Sequence, residues 1–118
     1  MDPALAHFFI VDDDRSFGVS LKRLLNAKGF PADCFLSAQS FLDSVPPNQQ
    51  GYVVLDIHMP ECDGFELMDK MKELHYDMPV IVVTGRALAD ARDLAMQKGA
   101  RGFLQKPFSE ESLIELVD

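Results

Sequence analysis

Short unbroken apolar runs alternate along this chain with stretches of helical period. That alternation restricts the chain to repeated βα units around a parallel sheet. The clearest runs are Phe8-Phe9-Ile10-Val11, Tyr52-Val53-Val54-Leu55 and the β-branched Val80-Ile81-Val82-Val83. They are continuous rather than alternating, as required when helices cover both faces of a sheet. The pattern predicts five strands, over residues 7–11, 31–35, 52–56, 79–84 and 102–105. Between and after them it predicts helices over 15–28, from Ser37 as N-cap to Val45, over 64–74 and 88–98, and from Ser109 onward.

The expected inward stripes are Phe17, Leu21, Leu24 and Leu25; then Leu67, Met68, Met71 and Leu74; then Ala91, Leu94 and Ala95; then Leu113, Leu116 and Val117. Gly29 and Gly99 supply helix stops, and Pro46-Pro47 ends the second helix. At 118 residues the chain is expected to be one domain, residues 1–118. The 47% apolar content suits a compact fold. No apolar run approaches the roughly 18–20 residues that span a bilayer. Met1-Asp2-Pro3 lacks a basic leader segment, so no membrane association and a cytoplasmic location are expected. Cys34 falls in a strand and Cys62 in a loop, in no zinc-ligand spacing, and both are expected as unpaired thiols.

The polar residues gather where the strands end. Asp12-Asp13-Asp14 closes the first apolar run, Asp56 the third, Thr84 the fourth, and Lys106 follows the fifth. In an open parallel sheet, ligands bind beyond the carboxyl ends of the strands, where strand order reverses. A strand order of 2-1-3-4-5 brings all these groups to one rim. Carboxylates collected there repel one another unless a cation joins them, and hard oxygen ligands suit Mg2+, with Mn2+ as a substitute. A carboxylate left free to attack phosphorus can form an aspartyl phosphate. Lys106 offers a point charge, Thr84 a hydroxyl, and the backbone near Gly85 and Arg86 N–H donors for phosphoryl oxygens. The net charge of −8 suits such a cation and argues against gripping nucleic acid.

Taken singly, each residue has a plainer reading. Asp14 fits a helix cap better than a metal ligand, and Asp12 and Asp13 fit either a cap or a metal site. Asp56 alone could begin the turn continued by Pro60 and Gly64. Thr84 reads as a strand-end hydroxyl, Lys106 as a surface lysine, Phe103 as core and His58 as a loop residue. Their joint placement at successive strand ends is what separates them from those readings.

Together, Val11-Asp12-Asp13-Asp14, Leu55-Asp56-Ile57-His58-Met59-Pro60 with Asp63-Gly64, Val82-Val83-Thr84-Gly85, Gly99-Ala100 and Phe103-Leu104-Gln105-Lys106-Pro107-Phe108 resemble the receiver domain of bacterial two-component response regulators. The resemblance runs from about Phe8 to the end of the chain. It implies a flavodoxin-like three-layer α/β sandwich, a parallel sheet of order 2-1-3-4-5 with five helices. It implies that Asp56 accepts a phosphoryl group from a sensor histidine kinase, with Mg2+ held by Asp13, Asp56 and the main-chain carbonyl of His58, and Asp12 acting through metal-bound water. Thr84, Lys106 and the backbone at Gly85 would bind the phosphoryl group. Thr84 and Phe103 would switch the face built by the fourth helix, fifth strand and fifth helix. His58 and Arg86 stand at positions that vary in the family, and are expected to tune the lifetime of the phosphorylated form.

The Val-Thr-Gly turn and Lys-Pro-Phe ending resemble receivers that precede a helix-turn-helix DNA-binding domain. The expected partners are therefore a sensor kinase and a DNA-binding output domain or downstream protein, with a phosphorylation-dependent homodimer through the switch face. The chain is then either a minimal domain or the N-terminal fragment of a longer transcription regulator. The alternatives are a Mg2+-dependent phosphatase or phosphotransferase with an Asp nucleophile, and a phosphorylation-independent interaction module. The first usually carries its nucleophile on the first strand, whereas Asp56 closes the third.

Overall fold

The computed structural model describes residues 6–59, 63–85 and 90–117. Five strands alternate with helices, as the apolar pattern predicts. They are β1 (Phe8–Val11), α1 (Arg15–Ala27), β2 (Ala32–Phe35), α2 (Ala38–Ser44), β3 (Tyr52–Asp56), α3 (Gly64–Glu73), β4 (Val80–Thr84), α4 (Ala91–Gln97), β5 (Gly102–Gln105) and α5 (Glu110–Glu115). The sheet order is β2-β1-β3-β4-β5 and every pairing is parallel.

The central strands explain the unbroken runs. Every residue of β1, β3 and β4 is buried. Successive side chains point to opposite faces, so each strand feeds two cores. Phe9, Val11, Val53, Leu55, Val80 and Val82 join Phe41 of α2, Leu67 and Met71 of α3 and Ala95 of α4 on one face. Phe8, Ile10, Tyr52, Val54, Ile81 and Val83 join Leu21 and Leu25 of α1 and Leu113 of α5 on the other. The result is a three-layer sandwich, and no helix among the described residues is long and apolar enough to cross a membrane.

Helix ends follow local chemistry. Asp14, Ser37, Asp63 and Ser109 each accept a hydrogen bond from the backbone N–H three residues on. Each thereby satisfies a donor that the first helical turn leaves unpaired. Gly29 closes α1 at φ +89°, a left-handed conformation that glycine adopts without a Cβ penalty.

The expected stripes are too wide. Leu24, Leu74 and Leu94 are 45%, 49% and 39% exposed rather than inward. In α1 the buried seam is Gly18, Leu21 and Leu25. Gly18 lies so close to β2 that its carbonyl accepts a hydrogen bond from Cys34 Sγ at 3.1 Å. Phe17 is half-buried against the same core face, as expected, while Leu24 is left exposed. Leu74 falls just past the last residue of α3, and in α4 the small Ala91 and Ala95 make the contact instead of Leu94. The expected helix start at Leu88 lies outside the described residues. Cys34 is unpaired, and burial pushes its thiol pKa up; Cys62 lies outside the described residues.

Candidate functional site

Parallel register brings the acidic strand ends together. Val11 of β1 pairs with Leu55 of β3, so the residues that follow, Asp12 and Asp56, leave the sheet side by side. Both are buried, at 2% and 5% exposure, whereas Asp13 is exposed. One carboxylate oxygen from each of Asp12, Asp13 and Asp56 lies within 4.8 Å of the other two. This is the switch point of the sheet, between the strands that connect outward in opposite directions.

Each carboxylate is held by a different device. The Asp14 N–H donates to Asp12 Oδ1 at 2.9 Å, and Lys106 Nζ donates to Asp12 Oδ2 at 2.6 Å. The His58 N–H donates to Asp56 Oδ1 at 3.0 Å, while Lys106 Nζ stands 3.9 Å from Asp56 Oδ2. The turn after β3 is clamped in its turn: the Gly64 N–H donates to the Ile57 carbonyl at 3.3 Å. An added Cβ on Gly64 would stand 2.8 Å from the Asp56 carbonyl oxygen, so only glycine fits there without movement.

Burial pushes the Asp56 carboxyl above the ordinary carboxylate range, and the neighbouring Asp12 adds to the effect. The His58 N–H and the Lys106 ammonium pull it back only in part. Among the described residues, three carboxylates share the pocket with one ammonium. A hard divalent cation bound by oxygen matches that donor set.

The remaining predicted residues fall around this pocket. Thr84 is fully buried at the end of β4, and its carbonyl accepts from the Lys106 N–H at 2.7 Å, which fixes the backbone from which the lysine reaches inward. Gly85 is exposed beside it. Phe103 is half-buried on β5, opposite Val82, and packs on the same core face as α3 and α4. The His58 ring sits two residues beyond Asp56, and its Nε2 is buried with no hydrogen-bond partner among the described residues. Arg86 lies outside the described residues. Asp14 caps α1 and stands outside the acidic trio.

One neighbour was not anticipated as part of the site. Phe17, expected in the inward stripe of α1 and half-buried against that core face, also lies under the lysine, with Lys106 Nζ 4.0 Å from its ring centroid. The same ring meets Phe108 edge-on at 5.9 Å. Its place in the first turn of the helix that follows the Asp run was the available signal.

Comparison with known proteins agrees with this geometry. The model of the response regulator receiver domain matches residues 8–118. The transcriptional regulatory protein FixJ of Bradyrhizobium diazoefficiens is 38% identical over 112 residues, 95% of this chain and 55% of that protein. The response regulator protein TodT of Pseudomonas putida is 35% identical over 109 residues, 92% of this chain and 48% of that protein. The chain thus spans about half the length of these curated relatives. Among solved structures, the crystal structure of FixJ-N superposes with a TM-score of 0.87 at 34% identity, covering 95% of this chain and 90% of that one. With the strand order, the acidic switch point and a family match over nearly its whole length, the chain belongs to the response regulator receiver domains of two-component systems.

Proposed function

We propose that Asp56 is the phosphoacceptor of a signalling switch, and that it receives its phosphoryl group from a phosphohistidine on a sensor kinase. The observation that carries this reading is the meeting of Asp12, Asp13 and Asp56 within 4.8 Å beside the Lys106 ammonium. An Asp56 carboxylate oxygen forms the new bond to phosphorus as the bond from phosphorus to the donor nitrogen breaks, and the leaving imidazole takes up a proton. The His58 N–H holds Oδ1 and so orients the carboxylate for attack.

Asp12, Asp13, Asp56 and the main-chain carbonyl of His58 would hold Mg2+, or Mn2+ in its place. When bound there it supplies positive charge next to the transferring group. Lys106 transfers its attraction from Asp12 to a phosphoryl oxygen, the Thr84 hydroxyl bonds another, and the backbone at Gly85 completes the cradle. Thr84 and Phe103 couple the modification to the face formed by α4, β5 and α5. A tenfold population shift there needs only about 1.4 kcal/mol of differential interaction. His58 and Arg86 flank the path of hydrolytic water and set the lifetime of the phosphorylated form.

The chain acts as a switch that modifies and restores itself, rather than as an enzyme turning over a metabolite. Relatives named as transcriptional regulatory proteins, each about twice its length, support a place as the receiver of a longer cytoplasmic regulator with a DNA-binding output domain. The switch face is also the proposed seat of a phosphorylation-dependent homodimer.

Intact mass after treatment with acetyl phosphate and Mg2+ tests this. One acid-labile phosphoryl group is expected on the wild type and none on Asp56→Asn. Modification at another residue overturns the assignment. Sustained turnover of a phosphomonoester favours a phosphatase instead.

A further inference from the structure

Lys106 is a flexible point charge on a four-carbon stem, held in the resting pocket by a charged hydrogen bond to Asp12 and by the charge of Asp56. A divalent cation ligated by the same carboxylates competes for their oxygens and repels the ammonium. The lysine would then lose its anchors when it has to meet the phosphoryl group. One contact survives that competition. The Phe17 ring carries no ionisable group and is no ligand for a hard cation, yet its face attracts an ammonium within about 6 Å of the centroid. Lys106 Nζ stands 4.0 Å from it.

The ring is held for this task from three sides. The Phe17 N–H donates to Asp14 Oδ1 at 3.2 Å, so the cap that follows the acidic pair sets its backbone. Its edge-on contact with Phe108 at 5.9 Å ties it to the loop that carries the lysine. On its third side it packs, half-buried, against the core face shared by α1 and α5.

We propose that Phe17 is a positioning residue, which keeps the Lys106 ammonium over the pocket after a divalent cation has engaged the carboxylates. This rests on the reading of Asp56 as phosphoacceptor. Without the ring, the lysine swings toward solvent and the competent fraction of molecules falls.

The test uses the chain as it stands, with Phe17→Leu and Phe17→Tyr, each in the wild-type and the Lys106→Met background. In NMR spectra the Lys106 ε-methylene protons are expected upfield from ring current in the wild type, before and after saturation with Mg2+. Phe17→Leu loses that shift and Phe17→Tyr keeps it. The rate of phosphorylation by acetyl phosphate at saturating Mg2+ falls about tenfold in Phe17→Leu. It returns in Phe17→Tyr, and with Lys106→Met the leucine substitution has no further effect. An absent or Mg2+-erased shift overturns the proposal. So does an unchanged rate in Phe17→Leu, or an equal loss in the Lys106→Met background, which marks a structural role. If the wild type takes up no phosphoryl group on Asp56, the phosphoacceptor reading fails, and the ring-current measurement still decides whether Phe17 holds Lys106.

Discussion

Lys106 Nζ lies 2.6 Å from Asp12 Oδ2, closing an ion pair between residues 94 positions apart in the chain. The carboxylate side chain is 1% exposed and the lysine 19%, so water does little of the neutralising. Such a pair is weak proof of stability as a unit, but removing one member strands the other. Lys106→Met is therefore expected to lower stability by about 2–3 kcal/mol without divalent cation. Mg2+ should restore part of the loss, because it offers Asp12 another positive partner. Urea unfolding with and without Mg2+ measures both, and an unchanged midpoint contradicts a stranded Asp12.

Asp14 and its two predecessors form one acidic run with divided labour. Asp14 Oδ1 accepts from the Phe17 N–H at 3.2 Å, while the acidic trio consists of Asp12, Asp13 and Asp56. Asp14→Ala should cost about 1 kcal/mol through the lost cap. Calorimetric titration should return an unchanged Mg2+ affinity for this variant. A large loss of affinity would place Asp14 among the ligands instead.

The division between what the chain spells out and what it conceals follows from the range of the interactions. The strands were legible because Val80-Ile81-Val82-Val83 and its counterparts have both faces covered, which leaves a continuous apolar run. The pocket was legible because those runs end in Asp12, Asp56 and Thr84. Helix faces were read less well. A hydropathy stripe passes over Gly18, which has no side chain to score, although its carbonyl meets Cys34 of β2. The role of Phe17 was hidden for a similar reason. Its partners, Lys106 and Phe108, come from the far end of the chain and meet it only through the packing of α1 beside α5. The His58 N–H bond to Asp56 is a backbone contact, which residue type does not announce.

Gly64 links the fold directly to the chemistry. A Cβ at that position would stand 2.8 Å from both the Asp56 carbonyl oxygen and the Ile57 Cα, backbone atoms with little room to yield. Gly64→Ala is expected to cost about 1–3 kcal/mol by overpacking. The displaced group belongs to Asp56 itself, so Mg2+ affinity should fall along with stability. Urea unfolding and calorimetric titration of the same sample check the two together; a loss of stability with intact affinity would mean that the strain relaxes away from the pocket.

Asp56 carries a cost to folding that its proposed role as phosphoacceptor explains. Its folded-state pKa is raised, first by burial and then by Asp12. A carboxyl with a raised folded-state pKa adds stability when protonated. That contribution is complete below the unfolded-state value and is lost as pH rises through the folded one. At neutral pH the ionised group therefore works against folding. Asp56→Asn keeps the shape and an oxygen for the His58 N–H, and removes the charge. Without divalent cation it should melt about 2–5 °C above the wild type at neutral pH. The gap should close as pH falls through the raised pKa of Asp56, where the wild type takes up its proton. Adding Mg2+ at a hundredfold excess over Kd should stabilise the wild type by about 2.7 kcal/mol and the asparagine variant by less, which reverses the order. Melting curves across pH, with and without Mg2+, decide the matter. A gap that does not change with pH would mean that the charge of Asp56 is not its source, and that the buried carboxylate does not strain the resting fold.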